Sequence, residues 1–182
     1  TENFELCENQ TLINPLMIAN NAPEVRGVAL DTNQIQLSVK KVPDQPGTAA
    51  ALCANMADAG ISLDAIVQSE RQHSDGSRDI SFILKREHRL QADKALGPLL
   101  AHWPGAELEE GPAIARVSAV GAGMPTTIGT AGKMFRALAN ENINIAMIAT
   151  SEIRTSCVVS ETDGVSALKA VHRSFELGIN QK

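Results

Sequence analysis

Hydrophobic and polar positions recur in the same order in two stretches of the chain. In the first, Ile35, Leu37 and Val39 alternate with Gln36, Ser38 and Lys40, which predicts a half-buried strand stopped by Pro43, Pro46 and Gly47. Ala49, Leu52, Cys53 and Met56 then fall at three- and four-residue intervals, the spacing of one helix face, and Gly60 supplies the stop. Ile61, Leu63, Ala65, Ile66 and Val67 predict a second strand, Asp75-Gly76 a turn, and Ile80 to Leu84 a third strand. Ala95, Leu96, Leu99 and Leu100 place a second helix at about 89–101, where Gly97-Pro98 predicts a kink or two short pieces because proline lacks the amide donor. A fourth strand begins at Gly105 to Leu108, giving the order βαββαβ of the ferredoxin-like split motif.

The second stretch repeats the plan: strand 114–120, loop 121–129, helix 130–140, strands 143–149 and 153–159, and helix 164–175. With Gly47 set on Gly129, the strand starts Ile61 and Ile143 share an offset of 82 residues, the mark of a duplicated domain-sized unit. Its first helix should bury Ala131, Met134, Phe135 and Leu138, and its second Val165, Leu168, Val171 or His172, and Phe175. The polar tail Gly178 to Lys182 is too short for a last strand, whereas Val25 to Leu30 offers a spare one upstream. The expected fold is therefore α+β, with two ferredoxin-like domains and the first inserted in the second. Residues 1–24 are read as a linker or the tail of a preceding domain, 25–32 as a strand lent to the second domain, 33–110 as the first domain and 111–177 as the second. Sheets with one open face and free edges favour an oligomer.

Charge narrows the partners. Lys and Arg number 16 against 21 Asp and Glu, a formal charge of -5, and no basic run could track a phosphate backbone, so nucleic acid is not expected. No run of about 20 apolar residues suits a membrane. The opening Thr1, Glu2, Asn3 is neither a signal peptide nor a Met start, which points to a cytoplasmic protein and an excised fragment. Cys7, Cys53 and Cys157 are odd in number and widely spaced; Cys53 and Cys157 read as small buried hydrophobes, with no metal-site spacing near any of the three.

No catalytic constellation stands out. Gly121-Ala122-Gly123 lacks the further glycine and the acidic residue of a dinucleotide fingerprint, and no Gly-Lys-Ser/Thr loop is present. His73, His88, His102 and His172 are scattered, and Glu70, Arg71, His73, Asp75 and Arg78 fall on the predicted hairpin, where a solvated turn accounts for them. The loops before the two helices carry more. Asp44-Gln45-Pro46-Gly47 leads into a helix whose first amides lack internal acceptors, so the corner can hold a carboxylate on N–H groups while Asp44 faces an ammonium. An α-amino acid carries both charges. Gly121 to Met124 with Gly129-Thr130 makes the corresponding corner of the second copy.

VPDQPGTAA at 42–50, GISLDAIVQS at 60–69, DISF at 79–82, VGAGM at 120–124 and NINIAMIATSEIRTS at 142–156 resemble the regulatory part of aspartate kinase, from about Val25 to Phe175. The resemblance implies a tandem pair of ACT domains. It also implies effector binding by Asp44, Gly47, Thr48, Ala49 and Gln68, with Asn144 and Ile145 from a facing second domain. A possible second effector site carries over to Asp64, Ser81, Met124, Gly129, Ser151 and Glu152. Implied partners are threonine, lysine or both as feedback effectors, a second copy in a dimer or higher oligomer, and a kinase domain of the parent enzyme. That parent would phosphorylate L-aspartate with ATP and Mg2+; no cofactor and no metal are expected in this chain. The alternative is an ACT-type dimerisation module that no longer binds an effector.

Overall fold

A computed structural model describes residues 11–13, 25–121 and 129–177. The chain divides into two compact units, Asn33–Ala113 and the flanking segments up to Thr32 and from Ile114. In the first unit, the end of β2 (Gly27–Val42) is followed by α1 (Thr48–Asp58), β3 (Ala65–Gln68), β4 (Arg78–Lys85), α2 (Arg89–Leu100) and the start of β5 (Glu107–Val120). Its strands lie in the order β3-β4-β2-β5, with Ser38 opposite Ser81 and Ala65 opposite Ile83 in antiparallel register. In the second unit, the end of β5 is followed by α3 (Thr130–Asn140), β6 (Met147–Thr150), β7 (Arg154–Ser160) and α4 (Gly164–Ser174). Here the order is β2-β5-β7-β6, and Ser118 stands opposite Ser156. A short β1 (Thr11–Ile13), in the segment expected to be a linker, pairs with Gly27–Ala29 of β2. Two α+β units of the expected ferredoxin-like kind result, each with helices packed on an antiparallel sheet.

Residues 25–30 pack in the second unit. Val25, Val28 and Leu30 join Ala115, Val117, Met134, Leu138 and Val171 in its core, and the Arg26 amide donates to Val120 O at 2.7 Å. The other core gathers Ile35, Leu37, Val39, Leu52, Met56, Phe82, Leu84 and Leu96. Strand β2 thus sends Val28 and Leu30 into one core and, past Asn33, Ile35, Leu37 and Val39 into the other. Asn33, at φ 60, absorbs the change of phase, and asparagine tolerates that left-handed backbone better than most residues.

The predicted strands at 61 and 143 begin four residues late, and the helix ends explain why. The Ile61 amide donates to Met56 O and that of Gly60 to Ala57 O, with Gly60 at φ 70; Ile143 repeats this to Leu138 O and Asn142 to Ala139 O, with Asn142 at φ 55. Both are Schellman caps, whose trailing apolar residue packs back on the core, so Ile61 and Ile143 belong to caps and not to strands. A third such cap closes α4 through Glu176 and the buried Leu177.

Three helices differ from expectation, two in the face they bury and one in its continuity. Helix α1 buries Thr48, Leu52 and Met56, leaving Ala49 exposed and Cys53 half-buried. Helix α4 buries Gly164, Ala167, Leu168 and Val171, while Val165 is 53% exposed. Small residues give little signal in a periodicity, but they allow close approach: a Cβ on Gly164 would lie 2.8 Å from the Ala115 Cβ. Helix α2 is continuous through Pro98, which sits in its last turn, and the ladder resumes with the Ala101 amide donating to Gly97 O.

Two stability outcomes follow from these contacts, each measurable by urea unfolding. Gly60→Ala meets no neighbour and should cost about 1 kcal/mol through the left-handed backbone alone, whereas Asn142→Gly should be neutral or stabilising by up to about 1 kcal/mol. Equal effects at the two caps would refute the backbone explanation. Gly164→Ala should cost about 1 to 3 kcal/mol by overpacking against Ala115.

Candidate functional site

The corner between β2 and α1 is set by backbone conformation. Gly47, the N-cap of α1, has φ 96, and an added Cβ would touch nothing within 4 Å, so glycine is needed there for its dihedral and not for room. Thr48 turns its hydroxyl back to Pro43 O at 2.8 Å, pinning the loop to the helix. The Thr48 amide reaches Gln45 O and that of Ala51 reaches Gly47 O. Between them, the Ala49 and Ala50 amides have no acceptor among the described residues, and Gly47 offers no side-chain cap. Two N–H groups at the positive end of an 11-residue helix are thus left for an anion.

Asp44 belongs to the same loop, which the Thr48 hydroxyl and amide tie to the helix start. Its Oδ2 accepts from Arg78 Nε at 2.7 Å and from Gln72 Nε2 at 2.6 Å, while Oδ1 has no partner among the described residues. The Arg78 hydrogen bond, and after it that of Gln72, holds the Asp44 carboxyl below the usual carboxylate range, so it stays anionic through neutral pH. Arg78 Nη1 also donates to Ser69 O at 3.1 Å and Glu70 O at 2.7 Å, tying the Asp44 loop to the segment just after Gln68. Gln68 closes β3 with an exposed side chain. Of the expected effector residues, Asp44, Gly47, Thr48 and Ala49 form one corner, and Gln68 is linked to it through Arg78.

The hairpin beyond Gln68 is a solvated turn, as its charge pattern suggested. The Gly76 amide donates to His73 O and that of His73 to Ser77 O. Asp79 meets His73 Nε2 at 2.8 Å, the Lys41 amide at 3.1 Å and Lys40 Nζ at 3.4 Å. Partial burial opposes its ionisation, but these donors outweigh burial and lower its pKa.

Asn144 and Ile145 lie in the second unit, between the α3 cap and β6, Asn144 exposed and Ile145 packed against the core. Of the second set, Gly129 repeats the left-handed N-cap at φ 99, and Ser151 and Glu152 are exposed, the Ser151 amide donating to Arg154 O. Asp64 accepts from Gln34 Nε2 at 2.6 Å and the Ser81 hydroxyl meets that of Ser38 at 2.7 Å, both within the first unit. Met124 falls outside the described residues. Thr130 occupies the place of Thr48, and its buried hydroxyl has no partner among the described residues. An open groove of about 520 Å³ runs along the outer side of α3, lined by Gly129, Gly132, Lys133, Arg136 and Asn140 with Ser174 of α4; of the expected residues, only Gly129 borders it.

Sequence reasoning missed Arg78 and Gln72 as partners of Asp44. The signal for Arg78 lay in the register: pairing the third strand antiparallel to the first sets Arg78 opposite Val42, two residues before Asp44. Elsewhere, burial pushes the Cys157 thiol up to about 11, which makes it a poor nucleophile. Among the described residues, no cluster of His, Cys, Asp or Glu could hold a metal ion, and no helix is long and apolar enough to cross a membrane.

Comparison with known proteins agrees with this architecture. The ACT domain family matches residues 35–99 and, in a second form, residues 117–175. Over 153 residues the chain is 41% identical to the aspartokinase of Thermus thermophilus, an alignment covering 84% of this chain and 38% of that one. It therefore spans about two fifths of the length of the curated relatives it matches. The regulatory subunit of aspartate kinase from Thermus flavus superposes with a TM-score of 0.74 at 40% identity, covering 84% of this chain and 99% of that subunit. Aspartate kinase from Synechocystis superposes with a TM-score of 0.80 at 47% identity, over 90% of this chain and 29% of that one. With two ACT domains and near-complete coverage of an aspartate kinase regulatory subunit, the chain belongs to the ACT-domain regulatory modules of the aspartate kinase family.

Proposed function

We propose that the chain is the effector-binding element through which threonine, lysine or both restrain a parent aspartate kinase. The observation that carries this reading is the corner at Asp44–Ala50, where one loop and the helix start that follows it carry a carboxylate oxygen and two helix amides that have no partner among the described residues. A zwitterion presents the complementary pair, an ammonium for Asp44 Oδ1 and a carboxylate for the Ala49 and Ala50 amides. Threonine suits this corner, with Gln68 near its side chain and Asn144 and Ile145 supplied by a facing second domain. The second set, Gly129, Ser151 and Glu152 with Met124, Asp64 and Ser81, is assigned to lysine, whose second ammonium calls for a carboxylate such as Glu152 or Asp64.

Inhibition then follows from differential binding. An effector that binds one arrangement of the module more tightly shifts the kinase toward it by its affinity difference and no more. The kinase domain, ATP, Mg2+ and aspartate belong to the parent polypeptide in this proposal, as does cytoplasmic residence. A second copy of the chain supplies the facing domain.

Calorimetric titration of the module with L-threonine and L-lysine, with the D-enantiomers as controls, should show saturable binding of the L-forms. Asp44→Asn and Asn144→Ala should each weaken threonine binding roughly 10- to 100-fold, the scale of losing a hydrogen bond to a charged group, without changing the sedimentation of the assembled protein. Unchanged threonine affinity in both correctly assembled variants would remove this corner from the effector site. Glu152→Gln should weaken lysine binding and spare threonine; the reverse pattern would exchange the two assignments.

A further inference from the structure

We infer that Arg78 is a specificity-determining residue that makes the Asp44 corner select a zwitterion over a simple ammonium ion, an inference that rests on the effector-binding reading above. Asp44 is not a bare anion. Arg78 Nε sits on its Oδ2 at 2.7 Å, and the guanidinium is held there by Ser69 O and Glu70 O through Nη1. Both side chains are partly shielded, the arginine 25% and the aspartate 29% exposed, so the pair is less screened than one standing free in water. The open Oδ1 therefore belongs to an anionic carboxylate whose charge is already countered by Arg78.

A ligand carrying only an ammonium gains the attraction of Asp44 and meets the repulsion of Arg78 across the same carboxylate. An α-amino acid meets the same opposition at its ammonium, but its carboxylate is drawn both by the free α1 amides and by the nearby guanidinium. The arginine thus penalises amines lacking a carboxylate more than amino acids. Nη2 has no partner among the described residues, so part of the guanidinium's donor capacity is still available.

The duplication supplies an internal control. In the register that sets Ser81 on Ser156, Arg78 corresponds to Ile153, and with Gly47 on Gly129 the residue corresponding to Asp44 is Thr126. Strand β7 forms normally from Arg154 onward with isoleucine in that place. That strand starts one residue later than β4 does in this register, yet its ladder with β5 forms without such an ion pair, so the arginine is not required for the pairing itself.

The test is a selectivity ratio, measured by calorimetry on the intact chain at low salt with L-threonine and its decarboxylated counterpart, 1-aminopropan-2-ol. The wild type should prefer threonine strongly. Arg78→Gln should lower the threonine-to-amine affinity ratio by about tenfold, whereas Arg78→Lys, which keeps the charge, should retain most of it. Arg78→Ile, the residue of the other copy, serves as a second variant and should behave like the glutamine. A wild type that takes the amine as tightly as threonine, or an unchanged ratio in folded Arg78→Gln or Arg78→Ile, overturns the assignment of Arg78 while leaving effector binding intact. A wild type that binds neither threonine nor lysine overturns the effector-binding reading itself and this inference with it.

Discussion

Two strands must each serve two hydrophobic cores, and the rest of the organisation depends on that constraint. β2 buries Val28 and Leu30 in one unit and Ile35, Leu37 and Val39 in the other, while β5 carries Leu108 against one core and Ala115, Val117 and Ala119 in the other. Strict alternation would send even and odd positions to opposite faces throughout, and in β2 the set that enters a core changes between Leu30 and Ile35. In β2 the change falls at Asn33, a residue type that accepts a left-handed dihedral. Because the two strands cross the unit boundary together, residues before the first βαββαβ segment and after it are committed to a common core.

The corner at Asp44 shows how little chemistry the fold has to add once that scaffold stands. A left-handed glycine ends the loop, a threonine hydroxyl ties it down, and a helix opens without a side-chain cap. The helix amides and the one oxygen of Asp44 that have no partner among the described residues are the features that distinguish this corner from an ordinary strand-to-helix turn. Its counterpart at Gly129 keeps the glycine and the threonine, the buried Thr130 hydroxyl having no partner among the described residues. The two copies share a backbone solution and differ in the side chains hung on it.

Much of this was legible in the sequence, and the misses share a cause. Alternation located β2, β4 and β7, and the repeat located every helix, because those signals come from large apolar residues at fixed intervals. Ile61 and Ile143 were misassigned to strands because a capping residue and a strand residue look alike when both are apolar and both are buried; only the hydrogen bonds to Met56 O and Leu138 O separate them. The face of α4 was misplaced because Gly164 and Ala167 carry its contact with the sheet while contributing little hydrophobicity. For the site, Asp44 and Gly47 were visible as a motif, whereas Arg78 was absorbed into a charged hairpin, its real partner lying 34 residues away and reachable only once the strand register is known.

The phase change at Asn33 bears on how chains of this kind can vary in length. Between Leu30 and Ile35, losing or gaining a single residue would turn one set of core side chains, Val28 and Leu30 or Ile35, Leu37 and Val39, away from its core and direct polar neighbours such as Gln36 and Ser38 toward it. The segment of residues 69–77 is under no such parity, since it is a solvated turn between strands already paired at Gln68 and Ile80. Insertions and deletions among relatives should therefore collect at the hairpin tip and be excluded from the short stretch that carries the chain from one core to the other, even though both are polar and both look like loops in the sequence.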